Sequence, residues 1–317
     1  MNKFALLLPV AVLLAACSGQ QDPDSTVPPP APAAGATSES SPPQAPQATP
    51  PDAFSERLDR VLAGAWRPPA DRARDQYRHP RETLQFFGLQ PGQTVIEITP
   101  GAGWYAAILA PLMRGDGTYV AAIAKPRNPK GEGAANQSAL EKLFASDPSE
   151  FDAAQQVMFD GDAPVFGPPG SADVVLTFRN VHNWARAGTA ENMFNAFFTV
   201  LKPGGTLGVA DHRAAPGKTL EQVSGSGYLP PDYVIKLATD AGFRLVARSK
   251  INANPKDNRD HPKGVWTLPP TLTLGDTDRD KYLAIGESDR MTLKFEKPMN
   301  SGQDHGAPAS AGSVGIE

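Results

Sequence analysis

The chain has 317 residues, 40% of them hydrophobic and 20% charged, with a formal net charge of −4. That balance carries no basic footprint and argues against nucleic acid as a partner. A single cysteine excludes an internal disulfide, and the length fits one large domain or two small ones.

Residues 1–16 hold Lys3 and then an apolar run from Phe4 to Ala16. The run is too short to span a membrane as a helix and has the form of a signal sequence. Leu14-Ala15-Ala16-Cys17 resembles a bacterial lipobox. That resemblance implies that Cys17 is lipidated, becomes the mature N-terminus and is the chain's only membrane contact, with the domain exported, to the periplasm. The alternative is an ordinary signal peptide that ends near a cysteine. Ser18 gives no retention signal of the aspartate type. Residues 17–51 are rich in Pro, Ala, Ser and Gln and read as a disordered tether. Residues 299–317 read as a second disordered tail, which leaves a folded domain at 52–298.

Asp52 or Ser55 is placed to cap a helix carrying Leu58, Val61 and Leu62 on one face. A second helix starts at His79-Pro80 and is stopped by Gly88. Strand and helix patterns then alternate over 94–98, 103–113, 118–124, 138–145, 155–159, 173–178, 189–201, 205–210, 230–241 and 243–250. Such alternation predicts an α/β fold, a parallel sheet with helices on both faces. Pro111 should kink or shorten its helix. The polar segment 252–290 carries four prolines but also Trp266, Leu268, Leu272 and Leu274, which favour an ordered, lid-like excursion. Residues 292–296 alternate and predict a final antiparallel strand.

The stretch 95–104 is the most informative. Val95, Ile96 and Ile98 read as a buried strand, Gly101 and Gly103 as a tight loop, and Trp104 onward as a helix start. Such a unit cradles a cofactor, because glycine admits a close backbone approach and a helix start offers unpaired N–H groups. Gly101-x-Gly103-x-x-Ala106 fits the dinucleotide fingerprint. A nicotinamide site, however, wants an acid at the end of the next strand, and residues 118–124 end in Lys125-Pro126.

The pattern Glu97-x-Thr99-x-Gly101-x-Gly103 resembles the first motif of class I S-adenosylmethionine-dependent methyltransferases, with Thr99 in place of the first glycine. Downstream, 171–178 followed by Arg179-Asn180-Val181-His182-Asn183-Trp184 is similar to that family's fourth strand and the polar residues after it. Leu201-Lys202-Pro203-Gly204-Gly205 with Asp211, and Ala241-Gly242-Phe243, resemble its later segments. More narrowly, the chain resembles a branch of exported bacterial predicted methyltransferases. The resemblance implies a Rossmann-like doubly wound, mostly parallel seven-stranded sheet with its last strand antiparallel. It also implies S-adenosylmethionine as cofactor, held by Glu97, Thr99, Gly101, Gly103, Asp160, Asp162, Arg179 and Asn180. Asn128 is a weak substitute for the missing ribose acid.

In open parallel sheets ligands sit beyond the carboxyl ends of the strands, where Glu97-Thr99, Asp160-Asp162, Arg179-His182 and Asp211-Arg213 all fall. Glu97 either holds the loop and the cofactor's ammonium or only caps loop N–H groups. Asp160 and Asp162 either accept from the adenine amino group or form a solvated turn. His182 and His212 are the candidate general bases, with Asp211 to orient either one. Arg78 to Arg81 either fold over the cofactor carboxylate or solvate a helix start. Trp184 reads as a packing residue. His182, Asp211, His212 and His261 are the candidate metal ligands, but no tight ligand spacing supports them and no metal is expected. No nucleophile elbow is present for a serine hydrolase.

Two functions follow. The first is S-adenosylmethionine-dependent methyl transfer to a small molecule, an in-line displacement with a histidine base. The alternative is a ligand-binding or scaffold lipoprotein that keeps the fold without the chemistry, suggested by Thr99, the missing ribose acid and the export signal.

Overall fold

Near-continuous apolar runs such as 95–98 and 172–178 build central strands buried on both faces, which places them in the middle of the molecule. The computed structural model describes residues 53–126 and 128–299. Cys17, the signal and tether segments and all but the first residue of the 299–317 tail lie outside those residues. The strands are β1 (Thr94–Ile98), β2 (Thr118–Ala124), β3 (Gln155–Phe159), β4 (Ala172–Phe178), β5 (Leu201–His212), β6 (Arg244–Ser249) and β7 (Arg290–Glu296). They form one sheet in the order β3-β2-β1-β4-β5-β7-β6. The pairs from β3 to β5 are parallel, and β7 runs antiparallel to both β5 and β6. This is the expected Rossmann-like arrangement, including its antiparallel last strand.

The helices in chain order are α1 (Ala53–Leu62), α2 (Pro69–Arg72), α3 (Asp75–Arg78), α4 (Pro80–Phe87), α5 (Ala106–Met113) and α6 (Glu132–Ser146). They continue with α7 (Pro148–Phe151), α8 (Val181–Ala187), α9 (Ala190–Val200), α10 (Pro231–Asp240) and α11 (Arg279–Ile285). Leu58, Leu84, Ile108 and Leu140 pack one sheet face with Val95, Val174 and Leu176. Met193, Phe194, Phe197, Val234 and Leu237 pack the other with Ile96, Ile98, Val175 and Leu207. Each fully buried side chain of this kind contributes roughly 1.5–3 kcal/mol. Among the described residues no helix is long and apolar enough to cross a membrane.

Pro111 does not break α5, all eight of whose residues are buried. Proline lacks the N–H that would bond the carbonyl of Ala107. The indole Nε1–H of Trp66 donates to that oxygen instead, at 2.8 Å.

Three expectations need correction. The polar run after β4, given no element between 178 and 189, forms α8 from Val181, closed by Gly188 in the left-handed conformation. This places His182 in a helix's first turn. Helix α6 starts at Glu132, six residues ahead of the expected 138. Asp211 and His212 do not lie beyond the end of β5 but inside it, paired with Met291 and Arg290 of β7. The reason is the antiparallel neighbour, whose ladder carries β5 past Ala210, where its pairing with β4 stops.

Candidate functional site

A cavity of about 690 Å³ opens over the carboxyl ends of β1, β4 and β5, bordered by Glu97, Thr99, Gly101, Arg179, Asn180 and His182. The sheet order makes this site, because the chain turns opposite ways after β1 and after β4, leaving a crevice between them. The segment after β6 adds Asn252, Trp266, Pro270, Thr271 and Arg290 to the wall, so the excursion predicted there reaches the site.

The ends of β1 and β4 are built alike. Thr99 donates its N–H to Ala122 and Arg179 donates its N–H to Ala210, both at 2.8 Å, each extending a ladder by one residue. Each then takes a left-handed backbone, with φ of 52° at Thr99 and 64° at Arg179. Non-glycine residues pay on the order of 1 kcal/mol for this, most of all a β-branched one, and such strain concentrates at ligand sites. Thr99 therefore holds a backbone conformation that favours glycine. Its Oγ1 is buried without a hydrogen-bond partner.

Asn180 ties the two ends together. Its side-chain amide donates to the carbonyls of Ile98 at 2.9 Å and Thr99 at 3.3 Å, and to Thr177 Oγ1 at 3.1 Å. Gly101 (φ 61°) borders the cavity with nothing within 4 Å of where a Cβ would stand. Gly103 (φ 96°) is different: a Cβ there would lie 2.7 Å from Leu143 and 3.0 Å from Leu140, so this glycine serves helix packing. It does not border the cavity.

Glu97 is 3% exposed and receives the Tyr119 hydroxyl at 2.7 Å. Burial pushes its carboxyl up to about 8, against the pull of the Tyr119 hydrogen bond and the Arg78 charge. It stands within the β1 ladder, on the wall of the cavity.

His182 and Asp211 form a buried dyad. Asp211 is fully buried, and its Oδ1 lies 3.0 Å from His182 Nδ1. The carboxylate therefore accepts a hydrogen bond from Nδ1–H, which leaves Nε2 as the basic nitrogen. Among the described residues nothing hydrogen-bonds His182 Nε2. His182 and Trp266 also border a second cavity of about 530 Å³, lined with Leu220, Val223, Tyr228 and Leu229. His212 is differently placed. Its Nδ1 meets Ser288 Oγ at 2.5 Å, and Arg179 Nε–H points at its Nε2 at 3.4 Å. Burial, then the charges of His182 and Arg179, hold it well below the usual histidine range. His212 does not border the cavity and is a neutral support beneath Arg179.

Asp211 also accepts the backbone N–H groups of His182 and His212. Although atoms of His182, Asp211 and His212 lie within 4.8 Å of one another, the donor set does not fit a divalent cation. Both ring nitrogens of His212 are occupied, by Ser288 and by the Arg179 guanidinium, whose positive charge opposes a cation there. His261, weighed with them, instead pairs with Asp257 at 2.8 Å.

The remaining sequence candidates separate. Asp160 and Asp162 are exposed, do not border the cavity, and form a turn in which Asp160 Oδ1 accepts the Asp162 N–H at 2.9 Å. Asn128 is likewise used in a turn, accepting from the Lys130 N–H. Arg78 borders the cavity, whereas Arg81 pairs with Asp59 at the surface.

Sequence reasoning missed an arginine cluster. Glu287, 3% exposed, pairs with Arg74 at 2.7 Å, Arg78 at 3.1 Å and Arg290 at 2.9 Å. Burial alone would raise its carboxyl, but Arg78, Arg290, Arg74 and Arg179 outweigh that and hold it well below the usual range. Burial pulls Arg78 down to about 9, with Glu287 pulling the other way. The Trp104 ring lies under the Arg78 guanidinium at 4.5 Å, and the Tyr105 hydroxyl donates to the Arg78 carbonyl. The available signal was the charged run Glu287-Ser288-Asp289-Arg290 running directly into a core strand. Glu132 and Asn136, at the start of α6, also border the cavity and were not anticipated.

No family model and no curated protein matches the chain. Among solved structures it is similar to a SAM-dependent methyltransferase from Aquifex aeolicus, with 16% identity, a TM-score of 0.47, and coverage of 76% of this chain and 98% of that one. It is also similar to a putative sarcosine dimethylglycine methyltransferase from Galdieria sulphuraria, at 12% identity and TM-score 0.49, covering 72% and 86%. The cyclase SpnF is similar at 14% identity and TM-score 0.48, covering 78% and 93%.

Proposed function

We propose that the chain binds S-adenosylmethionine in the larger cavity and transfers its methyl group to a small molecule, with His182 as general base. The observation that carries this is the join of two features in one cavity: a strained Thr99–Gly101 cradle open to a ligand, and the Asp211-oriented His182. The residues present fit the cofactor. Gly101 leaves room for close approach, Thr99 Oγ1 lacks a partner, and Glu97 supplies a carboxyl for an ammonium. With no acid at the end of β2, Glu132 and Asn136 are the polar groups proposed for the ribose hydroxyls.

The cofactor supplies an activated methyl group on a good leaving group, so the protein's task is chiefly to position two reactants. His182 takes the acceptor's proton at Nε2 while Asp211 stabilises the charge on the ring. Trp266 and the neighbouring Pro270 and Thr271 wall off water. His182 and Trp266 border both cavities, so the base faces the larger cavity and also lines the second.

Calorimetric titration with S-adenosylmethionine tests the reading. Wild-type protein should bind in the micromolar range and Gly101→Val should not. His182→Ala should keep the affinity and lose 10²–10⁴-fold in turnover. No heat of binding in wild type rejects the proposal. Export and lipidation at Cys17 are also proposed, on the Leu14–Cys17 sequence; metabolic palmitate labelling should be lost in Cys17→Ala.

A further inference from the structure

The four guanidinium groups of Arg74, Arg78, Arg179 and Arg290 all border the larger cavity. Glu287 ion-pairs with Arg74, Arg78 and Arg290, Asp71 pairs with Arg74 as well at 3.8 Å, and both leave Arg179 out. Among the described residues no carboxylate lies within ion-pair distance of Arg179, and no acceptor meets its two terminal nitrogens. Only its Nε–H is directed, at His212. Arg290 is 4% exposed, and its Nε is buried without a partner, as is Arg74 Nη2. The other carboxylate whose charge reaches Arg179 is Asp211, and that group is committed to His182. Among the described residues Arg179 is therefore the one of these four arginines without a carboxylate at ion-pair distance. A buried unpaired charge is costly, so a set of this kind is completed by an anion.

S-Adenosylmethionine does not supply enough of one. Its sulfonium and ammonium outnumber its carboxylate, so its arrival would add positive charge to the cavity. The second reactant has to bring the negative charge. We propose that the acceptor is an organic oxyanion, a carboxylate or phosphate ester, whose anionic group sits on the open fork of Arg179; Arg290 contributes charge, since its terminal nitrogens are held by Glu287 and the Tyr77 carbonyl. Naming that ligand as the acceptor rests on the methyltransferase reading. Arg179 and His182 flank the same His212 ring, with the two histidine rings 5.0 Å apart at their centroids. An acceptor anchored on Arg179 thus presents its far end to His182 Nε2. Arginine suits the task because its planar fork binds carboxylate and phosphate oxygens in pairs and stays charged. The left-handed backbone at Arg179 is the strain that aims this side chain.

The test measures the thermal unfolding midpoint of the full chain against succinate and against inorganic phosphate, at ionic strength fixed with sodium chloride. At about ten times half-saturation, the anion that fits should raise the wild-type midpoint by about 3 °C or more. Arg179→Gln should weaken that response at least tenfold. Arg244→Gln, an exposed arginine paired with Glu296, should leave it unchanged. A response to succinate alone assigns a carboxylate acceptor, and a response to phosphate alone assigns a phosphate ester. No shift beyond the chloride control in wild type overturns the proposal, as does an equal shift in Arg179→Gln. If Arg179→Gln fails to fold, the wild-type response at matched ionic strength decides. Calorimetry with S-adenosylmethionine on the same preparations separates the two readings. Cofactor binding without an anion response removes the oxyanion site and leaves the methyltransferase. An anion response without cofactor binding does the reverse.

Discussion

Glu97 and Glu287 are equally buried, each 3% exposed, yet their carboxyls shift in opposite directions. Glu97 has one neutral hydrogen-bond donor, Tyr119, and burial dominates. Glu287 has three guanidinium partners, and their field overcomes the same desolvation. The comparison separates the two halves of the site. The glycine half is closed by backbone geometry and holds a carboxyl that is mostly neutral at pH 7. The arginine half is held by charge.

The largest expected effect breaks the arginine half. Glu287→Gln removes the carboxylate shared by Arg74, Arg78 and Arg290, and should cost about 3–5 kcal/mol in urea unfolding. A loss below about 1 kcal/mol would show that water, not Glu287, neutralises these arginines.

The two carboxyls also give opposite pH signatures. Because the folded value of Glu97 is raised, its contribution is full below about 4.5 and is lost as pH rises through about 8. That limb should amount to a few kcal/mol and flatten in Glu97→Gln. Because the folded value of Glu287 is lowered, its contribution is full above about 4.5 and is lost as pH falls below it. Stability measured from pH 3 to pH 9 resolves both limbs. An ammonium ligand should favour ionised Glu97, so cofactor affinity should rise from pH 6 to pH 8.5 in wild type but not in Glu97→Gln.

Smaller changes sharpen the glycine half. Gly103→Ala meets Leu140 and Leu143 in an unfavourable backbone conformation and should cost about 1–3 kcal/mol. Gly101→Ala meets nothing and should cost only about 1 kcal/mol of strain, with its main effect on ligand affinity. Equal stability losses at the two positions would contradict their assigned roles. Thr99→Gly should be smallest, a gain of about 1 kcal/mol in stability from relieved strain, offset by weaker ligand binding.

Read alone, the sequence determined what depends on neighbours along the chain. Short apolar runs set the strands, Gly88 stopped α4, and Glu97 to Gly103 marked the cradle, because local backbone preference and strand burial act over a few residues. The same local logic placed no element on polar residues 179–188, where Asn180 bonds the end of β1 and Trp184 packs on Phe197 as α8 begins. Only the tertiary structure decided which base is usable. His182 and His212 have similar sequence settings, and it is the β5–β7 ladder that buries His212 against Ser288. Only the tertiary structure assembled the arginine half, since Arg78 and Glu287 lie 209 residues apart. Charge complementarity over that separation leaves no periodicity to read, because a carboxylate finds its guanidinium in space and not along the chain.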